Sequence, residues 1–270
     1  MSNYIHGSEP EEQARLAKLN ELINSRCLQL LEIYPGEHIL DVGSGLGQFT
    51  LAMAEKVGEN GKCLGIERDK NQLKIALESL ERQRKSWVEF RQGNAENLEL
   101  HQHEWGTFHL AHARFILEHV KQPENVVEGM AKAVRPGGRV VLADDDHQQM
   151  CLHPEPAGFA AIWQGYIRSY DRLGNDPFIG RRLVSILHQY GLRNIRNNVV
   201  FFGDSAESPT FQAYVSNLIG ILLGAKELMI KHSLIHERNF AEAIQNLQEW
   251  GHQPDSALWY TINWAEGTKA

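Results

Sequence analysis

The stretch HILDVGSGLGQFT, from His38 to Thr50, sets an aspartate two residues ahead of three glycines at every second position. A glycine turn after a short apolar run lets a backbone approach a ligand that side chains would hold off. Where such a turn joins a strand to a helix, α/β proteins take nucleotide-like ligands. A P-loop needs GxxxxGK followed by Ser or Thr, and no lysine follows these glycines, so that class is excluded. A dinucleotide site needs GxGxxG, with a pyrophosphate on the helix N-terminus. Here Gly43, Gly45 and Gly47 make GxGxG, and Gln48 stands at the sixth position.

Asp41 discriminates further, because its carboxylate would repel a pyrophosphate and attract a cation. S-adenosylmethionine carries an ammonium and a sulfonium on an adenosine and has no phosphate. A cationic adenosyl ligand therefore fits the turn better than an anionic one.

The surrounding elements must present that turn. Leu16, Leu19, Leu22, Ile23, Cys27, Leu30 and Leu31 recur at helical steps, so a first helix opens at Ser8 or Glu9 and ends before Pro35-Gly36. HILDVG reads as a buried strand and QFTLAMAEKV as the helix after it. KCLGIE, VEFRQGNA, FHLAHARF and RVVLADD read as further strands, with helices between. Such alternation implies a parallel sheet covered on both faces. After Asp146 helices predominate, with strands at IRNNVVFF and ALWYTINWA. The helical block from Glu207 to about Trp250 interrupts what would be a hairpin and reads as a cap.

The chain has 270 residues, 42% hydrophobic and 23% charged, with a formal net charge of −7. That composition suits a globular protein with a sizeable core and carries no basic footprint for nucleic acid. Cys27, Cys63 and Cys151 are odd in number and far apart, as reduced thiols of a cytoplasmic protein would be. The N-terminus lacks the basic and apolar regions of a signal peptide. The apolar window Leu218–Lys226 is too short to span a bilayer.

LDVGSGLGQFT, GIERDKNQL, GNAENL, ARFILEHV and RPGGRVVLAD occur in order and at familiar distances. Together they resemble the class I S-adenosylmethionine-dependent methyltransferases, in the branch of small-molecule and quinone methyltransferases. The resemblance is firm from Gly36 to Asp146. It implies a Rossmann-like, doubly wound seven-stranded sheet with the last strand antiparallel and a helical cap inserted. The organisation expected is an N-terminal lid over 1–35, a cofactor-binding core over 36–203 with a helical insertion at about 150–175, a cap over 204–252, and a final strand and tail over 253–270.

The resemblance also assigns roles. Gly43 and Gly45 bring backbone to the methionine part of the cofactor, and Asp41 lies close to that moiety. Glu67, ending the second strand, accepts from the ribose hydroxyls. The stem of Arg68 packs on adenine or is simply solvated. Asn94 takes the place of the usual acidic partner of the adenine amino group, and an amide oxygen can accept the same hydrogen bond. Ala95 donates its amide to the ring, the backbone at Ala113 and Arg114 receives the ammonium, and Tyr4 closes over the site or belongs to a frayed terminus. S-adenosyl-L-homocysteine would be the product.

Methyl transfer is an in-line displacement that alignment and desolvation can carry, so no catalytic signature is compulsory. His119, in FILEHV, and His147, ending DDDH, are the general-base candidates, each with a structural reading beside it. No metal is expected, because Asp144 to His147 lack a second carboxylate cluster. The Asn175–Phe178 run resembles an amine-methyltransferase motif but stands in the wrong place, so Pro177 reads as a helix start. Trp163, Tyr166, Tyr170, Phe211 and Tyr214 could wall an acceptor pocket or be plain core. The expected activity is methyl transfer to a small molecule, at oxygen or carbon. A cofactor-binding sensor or complex subunit is the alternative, and an RNA methyltransferase the weaker one.

Overall fold

The computed structural model describes residues 10–270, so Tyr4 and a helix start at Ser8 or Glu9 lie outside the described residues. Five parallel strands form the body of one sheet: β1 (His38–Val42), β2 (Lys62–Glu67), β3 (Val88–Gln92), β4 (Phe108–Arg114) and β5 (Val134–Asp145). The spatial order is β3-β2-β1-β4-β5. The last strand, β8 (Ala257–Lys269), runs antiparallel to β5. Its other edge pairs with β7 (Leu192–Ser205), the partner expected from the interrupted hairpin. A short strand, β6 (Cys151–His153), pairs with the start of β8, so the sheet has eight strands where seven were expected.

Period-2 burial splits the core into two layers. Ile39, Val141 and Ala143 face one layer, while Leu40, Val42, Val140 and Leu142 face the other. Helices α1 (Pro10–Leu31), α2 (Gln48–Val57), α3 (Lys70–Gln83) and α5 (Phe159–Leu173) cover the first face, with α7 (Phe211–Lys231) and α8 (Glu237–Trp250). Helices α4 (Pro123–Ala133) and α6 (Leu183–Gln189) cover the second. Local chemistry sets the boundaries nearest the site. Gly47 enters α2 at φ +76°, and Asp69 caps α3 by accepting from the amides of Asn71 and Gln72.

The apolar window in α7 needs a correction. The helix runs 21 residues, long and apolar enough by itself to cross a membrane. It packs against α1, α5, α8 and β7, and Leu218, Leu222, Ala225 and Met229 are buried there. Pro177 stands in a turn rather than a helix start, and a 3-10 turn follows over Ile179–Arg182.

At the β3 edge, Arg91 forms two 2.7 Å hydrogen bonds to Glu104. These hold the Glu104 carboxyl down at about 2, against an ordinary 4.5. A carboxyl depressed by folding adds stability above its unfolded pKa, and that stability drains as pH falls through the folded value. The thermal midpoint is expected to fall between about pH 4.5 and 2. In Glu104→Gln this part of the fall should flatten, with a lower midpoint at neutral pH. Calorimetric melts across that range check it.

Candidate active site

A cavity of about 960 Å³ opens beyond the carboxyl ends of β1 to β4, bordered by Asp41, Glu67, Gln92 and Arg114. Gly43 and Gly45 line it in left-handed conformations, at φ +75° and +56°. The turn is tied down by donation from Gly43 N and Ser44 N to Ile66 O, at 2.8 and 3.0 Å. Glu67 clamps it from the next strand. Its Oε2 accepts from Gly45 N at 2.8 Å and its Oε1 from Asp69 N at 2.7 Å. Burial pushes this carboxyl above its ordinary range, and the amides pull it back.

Asp41 is 3% exposed and already engaged on both oxygens. Oδ2 accepts from the Thr50 hydroxyl at 2.5 Å, and Oδ1 lies 2.8 Å from His112 Nδ1. His112 is the register neighbour of Asp41 on β4, so strand pairing alone brings them together. Sequence reasoning missed His112; a histidine amid the apolar residues of FHLAHARF was the available signal.

Arg68, Asn94 and Ala95 line the same cavity. Asn94 Oδ1 accepts from Glu96 N at 3.1 Å, so the side chain also closes its own turn. Arg114 reaches the cavity with its side chain. Its guanidinium lies 4.3 Å from the Phe49 ring centre, and Nη2 donates to Asn20 and Asn24 of α1. Its Nη1 is buried without a hydrogen-bond partner among the described residues, as is Ser44 Oγ. Ala113 is buried in the layer beneath and does not line the cavity.

A second, smaller chamber of about 70 Å³ adjoins the first. Leu16, Leu19, Phe115 and His119 border both. Trp163, Tyr166 and Tyr170, at helical spacing on α5, wall the chamber, with Trp163 stacked on Tyr166 and Tyr166 edge-on to Tyr170. Phe211 and Tyr214 do not. Phe211 packs on Trp250, and Tyr214 packs edge-on against Phe202 with its hydroxyl near Arg26.

His119 sits at the junction of the two spaces. Burial and the nearby His147 pull its imidazole down to about 3, so it is neutral at physiological pH. His147 lines the chamber with Nε2 3.0 Å from Glu118 Oε2 and Nδ1 2.9 Å from the Tyr260 hydroxyl. The indole of Trp163 donates to the His147 carbonyl at 2.8 Å, fixing the backbone at that point. Burial lowers the His147 pKa as well.

The DDDH run divides its labour. Asp144 accepts from Ile116 N and Leu117 N, holding the turn after β4. Asp146 binds Arg181 through two hydrogen bonds, at 2.7 and 2.6 Å. Asp145 faces the chamber instead. Glu118, Asp145 and His147 each bring one donor atom within 4.8 Å of the other two. Glu118 was missed from the sequence, although it adjoins His119; the partner that gives it meaning lies a whole crossover away on β5.

Comparison with known proteins bears on the family and the fold. A methyltransferase domain model matches residues 33–171, just over half of the chain. A demethylmenaquinone methyltransferase of Bacillus cereus is 31% identical over 163 residues, covering 60% of this chain and 63% of that protein. The matched part is thus less than two thirds of that relative's length. Among solved structures, an S-adenosylmethionine-dependent methyltransferase from Aquifex aeolicus superposes with a TM-score of 0.54 at 18% identity, over 72% of this chain and 93% of that one. A Haemonchus contortus phosphoethanolamine N-methyltransferase, in complex with phosphomonomethylethanolamine and S-adenosylhomocysteine, reaches 0.57 at 16% identity, covering 91% of this chain and 52% of that one. At such identities the structures speak for the fold. With the fold, the glycine turn and the family match in agreement, the chain belongs to the methyltransferase domain family, of the class I, S-adenosylmethionine-dependent type.

Proposed function

We propose that this protein transfers a methyl group from S-adenosylmethionine to a small acceptor seated in the aromatic chamber, at oxygen or carbon. The observation that carries the reading is the shared wall: the small chamber opens against the large cavity at Phe115 and His119. The large cavity suits the cofactor. Arg114 Nη1 and Ser44 Oγ are buried donors in want of an acceptor, and the carboxylate of the amino-acid end would supply one. Each Glu67 oxygen keeps a lone pair beyond its amide bond, enough to accept from both ribose hydroxyls. Asn94 and Ala95 stand for the adenine, and Arg68 flanks it.

When bound, the cofactor supplies a methyl group on a positively charged sulfur that departs as a neutral thioether. The chain supplies position. The α5 aromatics and Phe115 hold the acceptor against the wall, and α1 and α7 keep water out. The small volume favours an acceptor no larger than a single ring. A cytoplasmic setting without nucleic-acid partners accords with the charge balance and the three unpaired cysteines.

Calorimetric titration with S-adenosylmethionine, S-adenosylhomocysteine and NADH tests this directly. Micromolar binding of the two adenosyl ligands and none of NADH is expected. Preference for NADH would reverse the charge argument at Asp41. Tight adenosyl binding with no methylation across phenols, quinols and carboxylates would favour a sensor or complex subunit instead.

A further inference from the structure

Two carboxylates face the chamber, and the proposed in-line transfer does not by itself require either of them. Glu118 and Asp145 bring oxygens within 4.8 Å of each other, both behind the aromatic wall. Asp145 Oδ1 is buried and without a hydrogen-bond partner among the described residues. Glu118 is 3% exposed. Two carboxylates within 4.8 Å of each other beside buried aromatics resist ionising together, because each charge raises the cost of the other. We infer that Glu118 and Asp145 act as a pair sharing one proton, and that the pair takes the hydrogen of the acceptor's attacking hydroxyl, so that the chamber is built for a phenol or an enol. This rests on the reading of the chamber as the acceptor site.

The surroundings favour that role. His147 Nε2 bonds Glu118, and its Nδ1 meets the Tyr260 hydroxyl, so the imidazole holds the pair in place as a positioning residue. Tyr260 favours the charged form of Asp145, and Tyr170 that of Glu118. Burial keeps the chamber tyrosines protonated and disfavours the imidazolium forms of His119 and His147, so the carboxylates are the stronger proton acceptors in the chamber. Burial also lifts Glu118 to about 8, and burial with the Glu118 charge lifts Asp145 well above its usual range. A carboxylate so raised is a far better match to a phenol than an ordinary one. Asp144 is spent on backbone amides and stays out of the exchange. Arg15, donating to Asn217 at 2.6 Å, puts a cation on the chamber wall.

The step balances. The hydroxyl proton passes to a carboxylate oxygen of the pair, and the freed oxygen lone pair forms the new bond to the methyl carbon. The carbon–sulfur bond breaks with its electrons remaining on sulfur. The phenolate is equally the activated form for attack from a neighbouring ring carbon.

The test uses a series of fluorinated phenols of rising acidity, bound to the full chain saturated with S-adenosylhomocysteine and followed by 19F NMR. The more acidic members should bind the wild type as phenolates, with no proton released to the buffer in parallel calorimetry. In Glu118→Gln and Asp145→Asn the ionised fraction should fall about tenfold or more while binding persists. Ionised probe accompanied by full proton release overturns the pair without need of any variant. So does a bound signal identical in wild type and both variants yet lost in Tyr166→Leu. A bound signal indifferent to Tyr166→Leu places the probe elsewhere and removes the chamber reading itself. Absence of binding rules out a phenol acceptor and leaves the methyltransferase reading standing. A phenolate signal abolished by EDTA and restored by magnesium would put a divalent cation in place of the shared proton.

Discussion

Glu67→Ala is expected to weaken S-adenosylmethionine binding about 100-fold, a loss of about 3 kcal/mol. Two hydrogen bonds from ribose hydroxyls to an ionised, buried carboxylate are worth about 1.5–3 kcal/mol each when formed. The same substitution also releases Gly45 N and Asp69 N, which both donate to this carboxylate. The turn that must meet the ligand therefore loosens along with the contact. Glu67→Gln separates the effects, because an amide nitrogen would face a backbone N–H and can accept from neither partner. Its affinity should fall between wild type and alanine. Calorimetric titration reads the affinities and thermal melts read the turn. A loss below about threefold in Glu67→Ala would detach Glu67 from the ligand.

Gly43→Ala should cost about 2–5 kcal/mol of stability, from two sources that can be told apart. The residue sits at φ +75°, where a Cβ costs about 1–2 kcal/mol. That Cβ would also stand 2.0 Å from Ile116 Cδ1 and 2.5 Å from Cγ1, an overlap worth about 1–3 kcal/mol. Adding Ile116→Ala should return the overlap and leave the backbone strain, so a double-mutant cycle in denaturant gives a coupling of about 1–3 kcal/mol. Additive effects would mean that Ile116 steps aside freely. The geometry also changes the meaning of the motif. Gly43 is glycine because of its backbone angle and Ile116 on the turn after β4. Gly45, with only the end of the Gln72 side chain near its Cβ at 3.2 Å, is the glycine that leaves the cavity open.

What could be read from the sequence is what is local. Period-2 runs such as HILDV and KCLGIE pack a side chain into each core layer, so they announce buried strands before any tertiary contact is known. The glycine spacing and Asp41 announced the ligand class, since backbone angle and formal charge belong to residue type. Helix α5 was visible as an aromatic stripe, and α7 and α8 as one undivided helical block. Whether a stripe was wall or core was not visible, because that depends on what faces it. Trp163, Tyr166 and Tyr170 face a chamber, whereas Phe211 meets Trp250.

The remainder was decided by strand pairing and crossover connections. Arg114 was expected to act through its backbone. Its side chain turns to the cavity, where Asn20 and Asn24 of α1 accept from it and the Phe49 ring lies under it. Asp41 and His112 stand 71 residues apart and share a bond because β1 lies beside β4 in register. Glu118 and Asp145 leave the ends of neighbouring parallel strands, which is why two acids from different motifs converge on one space. Residue types and their spacing determined the ligand and the layers of this protein. The pairing of carboxylates at the acceptor site was decided by tertiary structure alone, because a parallel sheet gathers at one edge the strand ends that the chain keeps apart.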